Sequence, residues 1–591
     1  MREVTHKLVF TLAVVCLLSL AACQPKTVVV EKQVQVTQIV KETVKETVKE
    51  TVVVQGTPRV VEKEVEKVVT ATPAPTRVAK GGTAIESSFS DAEILNPILS
   101  TDTSSDHVEQ MLFSSLVQIN PGDLTVAPDL ADKWEISSDG LTFTFYLRKD
   151  VKWHDGQPFT AQDVEFTYDM ILNPAVNSPR RADLAEILTP EQIKVNDDYT
   201  IQFTLSQIDA AFLTTKAVYG IIPKHILGGL SPEELNSADF NTLSPIGTGP
   251  YMFREWVKDD HVALVKNPDY FLGEPNLDFW YFKVVENQTV EFAQLQTGEV
   301  DYAGVTAALW DAAQKTDNLD CKAYPQFDFL FYVYNLDPVK TPLFLDVRTR
   351  QALLYALDRE AMVQSITFGL ADVANSTVPP ISWAHNPGNE PRYAYDVAKA
   401  KDLLDAAGWK DQDGDGVREA HGVQGVEDGT RFSFEIHTNA GNQEREQASQ
   451  AMQQYWAQVG VEAKPTSIEW NALLAELTET YEYQMIVVGF NWDVDPDQKT
   501  MWHTSSYGSG FNMNKYSNTE LDKVLDAALQ TVDQDKRKEY DDQRQQIRAQ
   551  DVPAPILYFR KGTDCWNKRL HEYDPNPVES RWNASSWWVE R

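Results

Sequence analysis

Cysteine is scarce in this chain: 591 residues carry four, and two of those, Cys16 and Cys23, lie near the amino terminus. Cys321 and Cys565 remain for the body, and neither sits in a CxxC or a metal-ligand spacing, which excludes a redox dithiol or a thiolate zinc site. Two such thiols in an oxidising compartment can pair or stay free, and sequence does not show their separation. The ten histidines are scattered, which argues against a histidine-rich metal receptor. Positive charge is also short: 53 Lys and Arg stand against 87 Asp and Glu, for a formal net charge of −34. Binding nucleic acid needs a basic face that neutralises phosphates, so that class is excluded. G-x-S-x-G, H-E-x-x-H and P-loop motifs are absent, and with them three common routes to catalysis. What remains is an acidic chain too long for one ordinary core, so several lobes are expected.

The amino terminus is specific. Arg2 and Lys7 precede the apolar run "LVFTLAVVCLLSLAA", Leu8 to Ala22. That run falls short of the roughly 20 residues of a bilayer-spanning helix and has the length of a signal-peptide core. It ends in Leu20-Ala21-Ala22-Cys23, which resembles a bacterial lipobox. The resemblance implies cleavage before Cys23, diacylglycerol on its sulfur and acylation of the new amine, and two or more acyl chains anchor stably. Residues 1–22 are therefore expected as signal peptide and 23–80 as a lipid-anchored stalk. The stalk carries the repeat "VKETVKETVKET" from Val40 to Thr51, then "VVEKEVEKVV" and "TATPAPT". It has no aromatics with which to build a core. Valine every fourth residue could draw one helical stripe; a plain spacer is the other reading.

The body reads as mixed α and β. In "LTFTFYLR", Leu141 to Arg148, apolar and polar residues alternate as in a half-buried strand, after a hairpin signal at Asp139-Gly140. In "WHDGQPFTAQDV", Thr160 and Asp163 have capping-box spacing, so His154 and Asp155 fall in a turn between a strand and a helix start. Neighbouring side chains there usually point apart, and no nucleophile is near in sequence. That stretch reads as scaffold and not as a catalytic centre.

The segment Ala127 to Ile171, "APDLADKWEISSDGLTFTFYLRKDVKWHDGQPFTAQDVEFTYDMI", resembles the signature of the family 5 extracellular solute-binding proteins, the peptide, dipeptide and nickel receptors of ABC importers. Further blocks follow in that family's order: "IIPKHIL" (Ile221 to Leu227), "PIGTGPYMFREW" (Pro245 to Trp256), "KNPDYF" (Lys266 to Phe271) and "LQTGEVDYA" (Leu295 to Ala303). "DVRTRQALLYALDREAMV" (Asp346 to Val363), "YDVAKAKDLLDAAGW" (Tyr395 to Trp409) and "YSNTELDKVLDAA" (Tyr516 to Ala527) complete the set. The resemblance implies an α/β, two-lobe periplasmic-binding-protein-like fold (class II, cluster C) with an additional domain inserted in the first lobe. Lobe I would be discontinuous, from 81–115, 226–322 and 556–591. The additional domain would span 116–225, and lobe II 323–555. It also implies a monomer that closes on its ligand by hinge motion and hands it to an ABC permease and ATPase complex, with no cofactor required.

The apolar run Met485 to Phe490 should be a buried strand that delivers Trp492, Asp493, Asp495 and Asp497 at its end, where clefts in α/β sheets form. In peptide-binding relatives an aspartate in the matching stretch pairs with the ligand's ammonium. Asp493 is the best match, and Asp495 is the alternative. Trp492, Trp502 and His503 are candidate cleft walls, able to face peptide side chains or sugar rings, so an oligosaccharide remains open beside a peptide. Tyr334 and Asn335, in "FYVYNLDP", match the strand entering the second lobe. A glycosidase reading of "DVDPD" lacks a following Glu, and no enzyme is expected. A non-transport sensor on the same fold is the reading from another class. Finally, "DQDGDGVRE" places Asp411, Asp413 and Asp415 at positions 1, 3 and 5 of a calcium-type loop, with Gly416 at position 6. Position 12 is Gly422 where a bidentate Glu is wanted, so a structural Ca2+ would need Glu419, Glu427 or Asp428.

Overall fold

The computed structural model describes residues 41–54, 57–70, 80–388, 392–508, 510–578 and 580–590. The expected signal peptide, Cys23 and the proline segment before residue 80 lie outside them. The chain divides into two compact units, Met1–Arg77 and Val78–Arg591. In the first, Lys41–Val54 and Thr57–Thr70 pair as antiparallel strands, in register from Lys41 opposite Thr70 to Val54 opposite Thr57. The helical stripe is therefore not formed. The reason is local: every repeat supplies Val and Thr, whose β-branched side chains favour extended backbone, and the register sets Lys45 opposite Glu66 and Lys49 opposite Glu62.

The second unit is built on one mixed sheet of eleven strands. Its order begins Tyr251–Val257, His261–Lys266, Phe279–Val284, Thr83–Ser88 and Tyr302–Gly304. It continues through Ile556–Asn567 and Leu319–Tyr334 to Met485–Asn491, Ser433–Asn439 and Glu462–Ile468, with Ala371–Val373 also on Ile556–Asn567. The two long central strands run from one core cluster to another. At one end Cys321 faces Cys565, beside a core built from Phe292, Leu295, Val300 and Trp310. At the other, Phe329 faces Phe559, and both lie in cores made of residues after 328. The register shifts between Pro325 and Phe329. Just there Arg560 bonds both oxygens of Asp328 and reaches Glu444 at 3.2 Å. Cys321 and Cys565 form a disulfide directly across this strand pair.

A separate four-stranded antiparallel sheet holds Ala131–Ile136, Thr142–Leu147, Thr200–Thr204 and Ile193–Asp197. As the alternation predicts, Phe143, Phe145 and Leu147 are buried, and Gly140 takes the turn at φ 73°. The capping box forms at Thr160, whose amide donates to Asp163 Oδ2 at 2.9 Å. His154 is a brace. Its Nδ1 accepts from the Gly247 amide at 3.1 Å and its Nε2 donates to the Gly249 carbonyl at 3.1 Å. Burial holds its pKa down at about 4, so it stays neutral.

Gly247 and Gly249 in turn touch the end of helix Thr103–Leu112. A Cβ at 247 would stand 1.8 Å from the Leu112 carbonyl oxygen and one at 249 would stand 2.5 Å from that of Met111. No other residue permits that approach. The WHDG turn thus fixes the position of a helix that carries Asp106 and Glu109.

Candidate functional site

A cavity of about 500 Å3, within the roughly 300–1,000 Å3 usual for small-ligand sites, is lined by residues from distant parts of the chain. Helix Thr103–Leu112 supplies Asp106, Glu109 and Gln110 to its wall. Arg180, Asp183, Lys216 and Tyr219 line it too, with Arg581 and Trp582 of the carboxy-terminal segment and Asp493. Hydrogen bonds also join segments distant in sequence: the Ala210 amide donates to the Leu529 carbonyl at 2.9 Å, and Thr214 Oγ1 donates to Asp495 Oδ2 at 3.4 Å.

Strand Met485–Asn491 is buried over its first four residues, as expected of an internal strand, and ends beside the cavity. The chain leaving it sorts the candidate residues. Asp493 reaches the cavity. Its side chain is open to solvent there, but protein surrounds it, and the lost hydration together with nearby Asp495 raises its pKa. A carboxylate in that setting gains from an incoming cation.

Asp495 does not serve as the alternative. It is 4 % exposed, and both of its oxygens bond the Arg537 guanidinium in a buried pair. The aromatic candidates also fall away from the cavity. Trp502 is 2 % exposed, donates to Gln498 Oε1 at 3.1 Å and lies 3.8 Å from the Arg548 guanidinium. Trp492 packs on Phe490, ring centres 5.1 Å apart. His503 bonds Ser505 Oγ at 2.7 Å and approaches Asp526 at 3.6 Å. Tyr334 is fully buried against the Arg350 carbonyl, and Asn335 Nδ2 donates to the Tyr481 and Tyr483 carbonyls at 2.9 Å each. Trp502, Tyr334 and Asn335 are core residues, Trp492 and His503 are half-buried, and six of the fifteen tryptophans are among the largest fully buried side chains. Tryptophan abundance here measures core size and not cleft chemistry.

Residues the sequence did not single out shape the electrostatics. Glu86 would be raised by burial, but Arg581 and His107 outweigh that and hold it at about 2. Tyr302 donates to it at 2.6 Å. Lys216 pairs with Asp209 at 3.2 Å. Burial pushes Asp129 up to about 6 and Glu109 up to about 8. The only advance signal for Glu109 was its spacing from Asp106, three apart and so on one helix face.

The acidic loop after helix Val397–Ala407 brings carboxylate oxygens of Asp411, Asp413 and Glu419 within 4.8 Å of one another. Asp415 is not among them, because Arg431 binds its carboxylate. Glu419, at position 9, takes the place that position 5 was expected to fill.

Residues 125–512 match the profile of bacterial extracellular solute-binding proteins, family 5 Middle. The chain belongs to the family 5 solute-binding proteins. Among family 5 proteins, the oligopeptide-binding protein AppA of Bacillus subtilis is 33 % identical over 518 residues, covering 87 % of this chain and 92 % of AppA. The dipeptide-binding protein of Escherichia coli is 30 % identical over 528 residues, 84 % of this chain and 92 % of the relative. The structure of Bacillus subtilis AppA in complex with a nonapeptide superposes with a TM-score of 0.75 at 32 % identity, over 87 % of this chain and all of that one. The α/β two-lobe fold is that of the family, and family 5 proteins are extracytoplasmic receptors. Among the described residues no helix is long and apolar enough to cross a membrane.

Proposed function

We propose that this chain captures a peptide with a free amino terminus in the cavity between its lobes and delivers it to an ABC permease. The observation that carries this is the sorting of two neighbouring acids: Arg537 neutralises Asp495, while Asp493 faces the cavity with its pKa raised. The ligand's ammonium would restore to Asp493 what desolvation takes away, by a charge-assisted hydrogen bond. The peptide-binding relatives AppA and the Escherichia coli dipeptide-binding protein support the choice of ligand. Closure would pivot on strands Leu319–Tyr334 and Ile556–Asn567, with the bound peptide favouring the closed form. In this reading the lobes follow the boundaries given above, and Cys23 is lipidated after loss of residues 1–22. Residues 23–80 would hold the receptor off the membrane. Asp411, Asp413 and Glu419 would hold a structural calcium ion.

A thermal-shift panel tests the reading, with di- to hexapeptides, their N-acetylated forms and cello-, xylo- and manno-oligosaccharides, each with and without calcium. Ligand at a hundred times Kd stabilises by about 2.7 kcal/mol. Free-amine peptides should shift the melting point and acetylated ones should not. A shift with sugars alone would remove Asp493 from its role.

A further inference from the structure

The cavity holds more negative charge than one ammonium uses. Asp106, Glu109, Asp129 and Asp183 line it together with Asp493, against Arg180, Lys216 and Arg581. Two of those three cations are neutralised by acids outside the lining: Arg581 by Glu86, and Lys216 by Asp209. Arg180 donates to the Ser100 carbonyl at 3.0 Å and lies 5.7 Å from the centre of the Tyr219 ring. Asp129 accepts from the Ser115 amide at 2.9 Å. The acids of helix Thr103–Leu112 are differently placed. Asp106 accepts only a neutral amide, from Gln110 at 2.9 Å. Glu109 is 4 % exposed; its Oε2 accepts from Ser100 Oγ at 2.7 Å, and its Oε1 is buried with no hydrogen-bond partner.

We infer that Asp106 and Glu109 form a subsite for a basic side chain, so that the ligands of this receptor are peptides containing Lys or Arg. This presupposes that the cavity takes peptides at all, as proposed above. A buried carboxyl oxygen without a partner is costly, and a neutral ligand would leave it so. A lysine ammonium has three donors to share between Asp106 and Glu109, and its methylene stem would run along the apolar side chains of Pro97 and Phe113, which line the same cavity.

Binding at this subsite would expel a proton. In the free protein burial raises Glu109 to about 8, with Asp102 and Asp106 adding to the rise and Ser100 and Arg180 opposing it. The nearby His107 and Arg581 are engaged by Glu86, and Asp183 adds further negative charge to the cavity. A cation selects the ionised carboxylate. Affinity for a lysine peptide therefore rises between about pH 6 and pH 8, while affinity for a neutral peptide does not follow.

Calorimetric titration of the full-length protein with Ala-Lys-Ala, its side-chain-acetylated form and Ala-norleucine-Ala tests this, in buffers of differing ionisation enthalpy. The lysine peptide should bind about tenfold tighter than either neutral one and release more proton than either. Glu109→Gln should bring the three peptides to parity, and Asp106→Asn should narrow the gap. Circular dichroism and a cooperative thermal transition in both variants report intact folding. Neutral peptides binding as tightly as the lysine peptide would overturn the subsite, and so would a preference that survives both substitutions. Failure of all three peptides to bind would instead overturn the peptide reading, and the subsite with it.

Discussion

Asp493 and Asp495 are two residues apart, and the function proposed above gives them opposite work, so neutralising each in turn should produce opposite phenotypes. The side chains of Asp495 and Arg537 are 5 % and 6 % exposed. Breaking such a pair strands a buried guanidinium at a cost of about 3–5 kcal/mol. Asp495→Asn keeps the volume and one acceptor, so the lower figure applies. In a cooperative unit the size of Val78–Arg591, an unfolding entropy of about 2.1 cal/mol/K per residue makes each kcal/mol worth roughly 1 °C, so Asp495→Asn should lower the melting point by roughly 3 °C. Asp493→Asn should leave the melting point unchanged or raise it, because the surrounding protein and nearby Asp495 both oppose the charge it removes. Its cost falls on binding: losing a hydrogen bond to a charged partner, about 1.5–3 kcal/mol, weakens a free-amine peptide roughly 10- to 150-fold. Thermal unfolding followed by circular dichroism and calorimetric titration read the two effects separately. An Asp495→Asn protein that melts like wild type but no longer binds peptide, beside an Asp493→Asn protein that binds normally, would refute the sorting.

Three further expectations follow from other parts of the molecule. Glu109 holds a proton in the folded chain between its ordinary 4.5 and about 8, so its share of stability is lost as pH rises through that window, by up to about 5 kcal/mol. Ligand-free Glu109→Gln should therefore melt above wild type at pH 9 and close to it at pH 5; equal gaps at both would contradict this. Reducing the Cys321–Cys565 bond opens a 244-residue loop, worth about 5 kcal/mol in chain-entropy terms, so a reductant should lower the denaturation midpoint and have no effect on a Cys321→Ser, Cys565→Ser protein. In the bacterial host, Cys23→Ser should abolish incorporation of labelled fatty acid and move the protein out of the membrane fraction; labelling that persists would place the anchor elsewhere.

How much was legible in the chain follows from the reach of each interaction. The strand at Leu141 to Arg148, the capping box at Thr160 and the buried strand ending at Asn491 depend on neighbours in sequence, and alternation or spacing reveals them. Asp493 was within reach because that strand points at it. Asp495 was not separable from it, because its partner Arg537 comes from a helix forty-two residues on. Trp502, Tyr334 and Asn335 were taken for cleft residues because aromatic and amide side chains look the same in a core and in a site. The pairing of Cys321 with Cys565 needed the register of two strands 244 residues apart. Asp106 and Glu109 needed more still: the Gly247 and Gly249 contacts that seat their helix against the cavity. The repeat from Val40 to Thr51 left a helical stripe and a plain spacer both open, and its Val and Thr content favours the paired strands that form.

The central claim is that peptide binds between the lobes with its amino terminus on Asp493. A crystal structure of the protein grown with a free-amine tripeptide tests it most directly. The ligand should occupy the cavity lined by Asp106, Glu109, Tyr219 and Asp493, with its ammonium about 2.7–2.9 Å from an Asp493 oxygen. A peptide bound in the cavity with its ammonium on another group, or bound outside the cavity, would contradict the account.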